Sequence, residues 1–179
     1  MKENILTLVK DTAGNLPLDP KKTPRLLLEV LGGCPSEGHI AAYVREKLER
    51  EGFAVTVYQP EDFATYRFGV QPFLDQYDAV LYLGNVENVS NRTTNRINWY
   101  TFWGHGDNVP WFVHEVPTVF ASLANPYHLV DVPMISTYIN CYSNNDDTLD
   151  ALVEKLMGRD AFRGVSPTDP FCGKDYLKY

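Results

Sequence analysis

Cysteine is scarce in this sequence, and its positions show none of the spacings that give cysteine a structural role. The three cysteines, Cys34, Cys141 and Cys172, are an odd number and include no C-x-x-C pair. A disulfide framework needs paired cysteines, and a structural zinc site needs closely spaced ones. We therefore expect neither, and we expect the thiols to be buried or inert.

Basic residues are fewer than acidic ones, and long apolar runs are lacking. Lysine and arginine total 16 against 23 aspartate and glutamate residues, which gives a net charge of −7 without a basic stripe. Nucleic acid is bound through such stripes, so it is not an expected partner. No apolar run approaches the roughly 20 residues of a membrane span, and no secretory signal precedes Lys2. The compartment stays open between cytoplasmic and secreted.

The composition that is present fits one folded domain over residues 1–179. Hydrophobic residues make up 44% of the chain, enough to bury a sizeable core. Residues 25–31 form a nearly continuous apolar run, which is typical of a strand covered on both faces. Ser36 and Gly52 then bracket an amphipathic helix, and residues 53–58 have the pattern of a second strand. Together these segments predict a right-handed parallel β-α-β unit.

Later segments repeat this alternation of strands and helices. Residues 79–83 form a third apolar run, and two more strands are predicted, one that contains Val119 and one over residues 134–140. A helix over residues 147–157 has one apolar face and ends at Gly158. The sequence thus predicts a three-layer α/β/α sandwich with a mainly parallel sheet of five or six strands. We also expect helices on both faces of the sheet and a flavodoxin-like topology.

Several segments are less regular, and their predictions are correspondingly local. We expect a lead-in over residues 1–24 that begins with a short helix over residues 2–10, and an irregular tail over residues 159–179. Helical structure is expected in part of residues 60–76 and around residues 96–102 and 111–115.

A glycine-rich turn follows the first predicted strand but lacks the residues of a phosphate loop. Gly32, Gly33 and Gly38 match neither G-x-G-x-x-G nor the G-K-[ST] signature, and the turn contains no basic residue. Glu29 precedes this turn, but the third predicted strand ends at Gly84-Asn85 without an acid, so an acidic response-regulator cluster is not indicated either. We expect no cofactor. A small flavodoxin-like cofactor protein stays as a minor alternative that bound flavin would reveal.

The histidines and serines form no recognised catalytic or metal-binding motif. No H-E-x-x-H spacing is present, and no serine stands in a G-x-S-x-G elbow. Two histidines have an acid close by, which could orient a general acid or base. Such neighbours are frequent by chance, and a structural role is favoured for all four histidines: His39, His105 near Asp107, His114 beside Glu115, and His128.

The tryptophans are concentrated in one stretch. Trp99, Trp103 and Trp111 fall within thirteen residues. Three interpretations are open: an ordinary hydrophobic core, a face that docks another domain, or an aromatic platform for sugar rings.

Several blocks, in order along the chain, resemble one family. The blocks are Ile5-Leu6-Thr7-Leu8-Val9-Lys10-Asp11, Asn15-Leu16-Pro17-Leu18, Pro110-Trp111-Phe112, Glu115-Val116-Pro117, Ser122-Leu123-Ala124-Asn125-Pro126-Tyr127, Tyr138-Ile139-Asn140, Leu156-Met157-Gly158-Arg159, Gly164-Val165-Ser166-Pro167 and Asp169-Pro170-Phe171. Together they resemble the C-terminal domain of glycoside hydrolase family 3, and most nearly its bacterial β-N-acetylglucosaminidase-like branch. The resemblance extends from one end of the chain to the other.

This resemblance implies an accessory role in carbohydrate metabolism. It implies a domain that packs on a catalytic (β/α)₈ barrel and completes the rim of its active site, in a retaining β-N-acetylhexosaminidase. The family's nucleophilic aspartate belongs to the barrel, and this branch's His-Asp acid/base lies on a barrel loop. Nothing in this sequence resembles that barrel. No catalytic residue is therefore assigned, and the chain alone is expected to be inactive.

Some branches of the family supply a glutamate acid/base from the C-terminal domain. Asp107 and Glu115 are the acids here that could do so, yet neither lies in a matching motif. The candidates for the substrate rim or for docking are Trp99, Trp103, His105, Asp107, Trp111, Glu115 and Asn125. A second hypothesis is a stand-alone carbohydrate-binding or docking module that uses the region of residues 99–111.

Overall fold

The fold is built on one six-stranded sheet. The computed structural model describes residues 5–32, 36–59, 69–88, 90, 95–97, 99 and 108–179. Its strands are β1 Thr7–Asp11, β2 Arg25–Leu31, β3 Ala54–Val57, β4 Ala79–Gly84, β5 Thr118–Ser122 and β6 Thr137–Asn140. The helices are α1 Glu37–Arg50, α2 Val70–Leu74 and α3 Asp146–Leu156, with 3₁₀ turns at His128–Asp131 and Asp175–Lys178.

The strand order is that of a doubly wound α/β fold. It runs β1-β6-β5-β4-β2-β3, and every neighbouring pair is parallel except β1 with β6. The five parallel strands therefore follow the flavodoxin-like order, in which the chain reverses direction across the sheet between β2 and β4. The predicted mainly parallel α/β architecture is confirmed.

Each face of the sheet carries its own hydrophobic cluster. Along β2, Leu26 and Leu28 point to one face and Leu27 to the other, as the two-residue period of a strand requires. Helices α1 and α3 cover the first face. The second face is richer in aromatic rings, among them Tyr82, and α2 contributes to its cover. Apolar residues on both faces explain why the strands have nearly continuous apolar sequences.

The helix ends follow the sequence in one case and depart from it in the other. Asn145 precedes α3, and its side chain accepts a hydrogen bond from the Thr148 amide at 2.9 Å. Gly158 follows α3 with φ of +70°, a conformation that suits glycine. Ser36 precedes α1 as expected, but its side chain makes no capping hydrogen bond. It instead accepts from the Asn85 side chain at 3.1 Å.

The predicted N-terminal helix is wrong. Residues 7–11 form β1, an edge strand paired antiparallel with β6, and Leu6 is buried in the first cluster. A short apolar run fits both periods, and here pairing with β6 decides between them. Residues 111–115 form turns in place of the predicted helix. The prediction over residues 96–102 lies largely outside the described residues, and so does most of that over residues 60–76.

The segment after α3 is irregular apart from its 3₁₀ turn, and an ion pair from the buried Lys155 attaches it. The ammonium of Lys155 lies 2.5 Å from Asp160 and donates to the Ala161 carbonyl at 2.8 Å. Within the part of the chain that the structure describes, no helix is both long and apolar enough to span a bilayer.

Candidate functional site

Polar side chains collect at the carboxyl ends of the parallel strands. Ligands of doubly wound folds bind at this edge, in the crevice where the strand order reverses. Gly32 directly follows β2 at that point. A Cβ atom there would lie under 3.0 Å from both the Asn85 carbonyl oxygen and the Glu37 carboxylate, so glycine is required by close approach.

An amide network ties the ends of β2, β4 and β6 together. Asn85 directly follows β4, is fully buried, and donates through Nδ2 to the Ser36 hydroxyl. Asn144 donates to the Asn85 Oδ1 at 3.0 Å and also to the Glu87 carboxylate. These bonds fix the direction in which Glu87 leaves the sheet.

A second polar group lies at the end of β5. The Ser122 hydroxyl donates to the Asn125 carbonyl and lies 2.8 Å from Nδ1 of His128, which is buried. Burial lowers the pKa of the His128 imidazole, although the charge of Asp131 opposes this effect. Because Ser122 is fully buried, the pair orders the loop after β5 and cannot present a nucleophile to solvent.

Between these two groups lies a cleft of about 420 Å³, here called the β4–β5 cleft. It is lined by the segments that follow β4 and β5, namely Val86, Glu87, Asn88, Asn95, Ala124, Asn125, Pro126 and Tyr127. The Oδ1 atom of Asn125 accepts a hydrogen bond from the Tyr127 amide at 2.9 Å, and this bond stabilises a local turn. The Tyr127 ring is 42% exposed.

Glu29 is an acid buried under the second face of the sheet. It lies in β2 opposite Tyr82 of β4 and is fully buried. Burial raises the pKa of the Glu29 carboxyl well above its usual range, and the neighbouring Tyr82 hydroxyl offsets part of this shift. Tyr82 itself donates to the Asn108 carbonyl at 2.8 Å. A neutral carboxyl in this position is a structural group.

The aromatic residues pack mainly against the second cluster. Trp99 is half-buried, and its ring meets Tyr82 edge-on with centroids 6.4 Å apart. Trp111 is 36% exposed, and its ring meets Phe73 of α2 edge-on with centroids 5.3 Å apart. Phe73 in turn stacks on the buried Phe112 at 4.4 Å. The two described tryptophans thus both touch the core, and Trp111 also presents a surface to solvent.

The rim or docking candidates that the structure describes do not gather into one site. Asn125 lines the β4–β5 cleft, whereas Trp111 and Glu115 belong to an exposed turn before β5. Trp99 packs on the core beside Tyr82. The remaining three, Trp103, His105 and Asp107, lie outside the described residues.

Sequence reasoning did not identify Glu87, Asn88, Asn95 and Tyr127 as a group. The one available signal was the polar sequence after β4 and the Asn-Pro-Tyr turn after β5, and neither indicates by itself that the two segments meet. The cleft holds one carboxylate among its described lining residues, so it lacks the pair that glycoside hydrolysis uses. Among the described residues, no group of three or more His, Cys, Asp or Glu could hold a metal ion.

Comparisons with known proteins extend over nearly the whole chain. No family model matches the sequence. A β-N-acetylglucosaminidase/β-glucosidase of Cellulomonas fimi is 41% identical over 179 aligned positions, which cover 94% of this chain and 31% of that protein. The chain therefore spans about a third of the length of this curated relative.

Solved structures give the same picture. A β-glucoside phosphorylase is 41% identical with a TM-score of 0.85, and the match covers 98% of this chain and 31% of that one. A glycoside hydrolase family 3 β-N-acetylglucosaminidase from Paenibacillus shares the fold at 18% identity with a TM-score of 0.60, over 92% of this chain and 30% of that one. This chain belongs to glycoside hydrolase family 3, in which it corresponds to the C-terminal accessory domain.

Proposed function

We propose that this chain serves a glycosidase that releases terminal N-acetylglucosamine or glucose residues from β-glycosides. Its role there is to pack against a catalytic (β/α)₈ barrel and to complete the rim of the active site. The observation that carries this proposal is the 41% identity to the Cellulomonas fimi β-N-acetylglucosaminidase/β-glucosidase over 94% of the chain but only 31% of that relative. Catalysis would therefore depend on residues that lie elsewhere in the parent protein.

The distribution of acids supports an accessory role. Glycoside hydrolysis commonly needs two carboxyl groups about 5 to 9.5 Å apart across the scissile bond. The β4–β5 cleft has Glu87 as its one described carboxylate, and Glu115 lies on a separate exposed turn. Glu29 is fully buried and cannot reach a substrate.

The aromatic region supports docking over a free-standing sugar module. A sugar platform presents an open ring face, whereas Trp99 is half-buried and packs its ring against Tyr82. Trp111 is partly exposed and lies beside Phe73, and Val70, three residues before Phe73 in α2, is exposed as well. Exposed apolar side chains that adjoin a core are typical of an interface. We propose that Trp111 and Val70 belong to the surface that meets the barrel.

The test is hydrolysis of chromogenic β-N-acetylglucosaminide and β-glucoside by the isolated chain at high concentration. We expect no turnover above the buffer rate. Turnover that survives repurification and is lost in Glu115→Gln or Asp107→Asn would contradict the proposal, because a complete active site would then lie within these 179 residues. The double variant Glu115→Gln/Asp107→Asn controls for a contaminating glycosidase, because substitutions in this chain would not change the activity of a contaminant.

A further inference from the structure

We propose that the β4–β5 cleft binds a pyranose sugar through its hydroxyl groups. The inference rests on the proposed function, because it makes the ligand a sugar of the kind a glycosidase handles. It goes further in placing a binding site on this domain, at a defined cleft and with named contacts. The cleft of about 420 Å³ lies within the size range of small-molecule sites and is large enough for a monosaccharide unit.

The chemistry of the lining selects a neutral, polyhydroxylated ligand. Three asparagines, Asn88, Asn95 and Asn125, and one glutamate, Glu87, line the cleft, and its described lining includes no Lys or Arg. Glu87 would repel a phosphate or another anion. Amides both donate and accept, and a carboxylate accepts, so together they match neighbouring hydroxyl groups, which also do both. Charge-assisted bonds from a hydroxyl to Glu87 would be the strongest of the set.

Two of the four polar lining residues are already held in place, which lowers the cost of ordering them on binding. Asn125 is fixed twice, because its Oδ1 accepts from the Tyr127 amide and its carbonyl accepts from the buried Ser122 hydroxyl. Glu87 is held by Asn144, which also bonds to Asn85. Sites that are preformed in this way lose less free energy on binding than mobile ones.

Tyr127 supplies the aromatic part of the lining. The residue is 42% exposed, and an aromatic ring offers an apolar face against which a pyranose ring can stack. The Oδ1 atom of Asn95 is closed off from solvent, so it takes no part in the proposed contacts.

A second cleft of about 360 Å³ on the α1 side provides a comparison. Its lining includes Arg45, Glu46 and Glu49, and the Arg45 guanidinium donates to Glu49 at 2.8 Å. These charged groups are paired along the helix surface and offer no comparable set of amides. Gln59 also lines this cleft, so Gln59→Ala removes one amide from a pocket that we expect not to bind sugar.

The experiment is an NMR titration of the ¹⁵N-labelled chain with methyl β-glucoside and with methyl N-acetyl-β-glucosaminide, each up to about 100 mM. We expect saturable shifts of the amides in residues 86–88 and 124–127, with a Kd on the order of 1–10 mM. Tyr127→Ala and Asn88→Ala should each weaken binding about tenfold, the size of one good contact. Tyr127→Phe keeps the ring and should bind much as the original chain does, as should Gln59→Ala.

Several outcomes would overturn the assignment. These are the absence of saturable shifts at about 100 mM for both sugars, shifts that map elsewhere, and shifts that Tyr127→Ala and Asn88→Ala leave unchanged. Inorganic phosphate that shifts the same amides with similar strength would show that the ligand class is wrong. Because this titration uses the chain alone, its failure leaves the accessory role intact, whereas failure of that role would appear as turnover by the isolated chain.

Discussion

Glu29 is an acidic residue in an apolar, fully buried environment. It stands in β2 among leucines, is fully buried, and lies opposite Tyr82. A short, nearly continuous apolar run was a good predictor of the buried strand, but it gave no account of the acid within it. Burial could be predicted from the surrounding leucines, whereas the neighbour across the sheet depends on the β2–β4 register, which the sequence does not display.

We predict that Glu29→Gln stabilises the protein at neutral and alkaline pH. Burial raises the pKa of Glu29 in the folded state, so the folded protein keeps a proton that the unfolded chain releases above about pH 4.3. The free energy of unfolding therefore falls as pH rises from that value towards the folded-state pKa. Glutamine is neutral throughout and escapes this loss.

Thermal unfolding from pH 5 to pH 8 is the measurement for this residue. The Tm of Glu29→Gln should exceed that of the original chain by a few degrees at pH 8, and the gap should narrow towards pH 5. Glu115→Gln, at an exposed position, is the matched control for loss of one carboxylate. A constant gap across this range, or a variant that is less stable at pH 8, would mean that Glu29 is not held neutral in the folded protein.

At the scale of elements, the connection from β2 to α1 shows how packing overrides local preference. Gly32 directly follows β2 and Gly38 is the second residue of α1, and the sequence alone does not distinguish their roles. In the fold, Gly32 is pressed against the Asn85 carbonyl, whereas a Cβ on Gly38 would meet nothing within 4 Å. Gly38 also lies inside α1, where glycine costs about 1 kcal/mol relative to alanine.

The two substitutions to alanine should therefore have opposite signs. Gly32→Ala should lower the free energy of unfolding by about 1–3 kcal/mol, because the new methyl group forces apart the ends of β2 and β4. Gly38→Ala should raise it by up to about 1 kcal/mol through helix propensity. Urea unfolding of both variants measures this difference. If Gly32→Ala changed the free energy of unfolding by the same amount and in the same direction as Gly38→Ala, the close approach at Gly32 would not be maintained in solution.

Other elements show where sequence reasoning succeeds and where it fails. The helix predicted over residues 147–157 was placed within one residue because its capping asparagine and terminal glycine act locally. The segment predicted as a helix over residues 2–10 contains strand β1, because its partner β6 lies more than a hundred residues away. Helix ends can be predicted from the sequence because neighbouring residues cap them. A strand such as β1 cannot, because it forms only by pairing with a segment that is distant in sequence.

The same reason explains why the cleft escaped prediction. Asn125 was named as a rim candidate from its motif, but Glu87, Asn95 and Tyr127 reach the cleft only when β4 pairs with β5. The fold class was predictable because it follows from the order of apolar runs along the chain. The site was less so, since it is assembled from two loops that a long intervening segment separates.

For the whole molecule, the comparison of lengths is the decisive feature. Almost all of this chain aligns with a relative of which it covers 31%. In the part of the chain that the structure describes, each face of the sheet carries a buried hydrophobic cluster. The β4–β5 cleft nevertheless holds a single described carboxylate, and the two carboxylates of the second cleft are paired with arginines of α1. A folded unit with a polar cleft and a partly exposed tryptophan fits a domain that supports catalysis by another part of the same enzyme.

The most direct test of this account is a domain exchange with the Cellulomonas fimi relative. The segment of that enzyme that aligns with this chain is removed, or replaced by this chain, and hydrolysis of a chromogenic β-N-acetylglucosaminide is measured. We predict that removal abolishes most activity and that the replacement restores it, with Trp111→Ala weakening the restoration and Gln59→Ala leaving it unchanged. Full activity of the truncated enzyme, unaffected when this chain is joined to it, would contradict the accessory role.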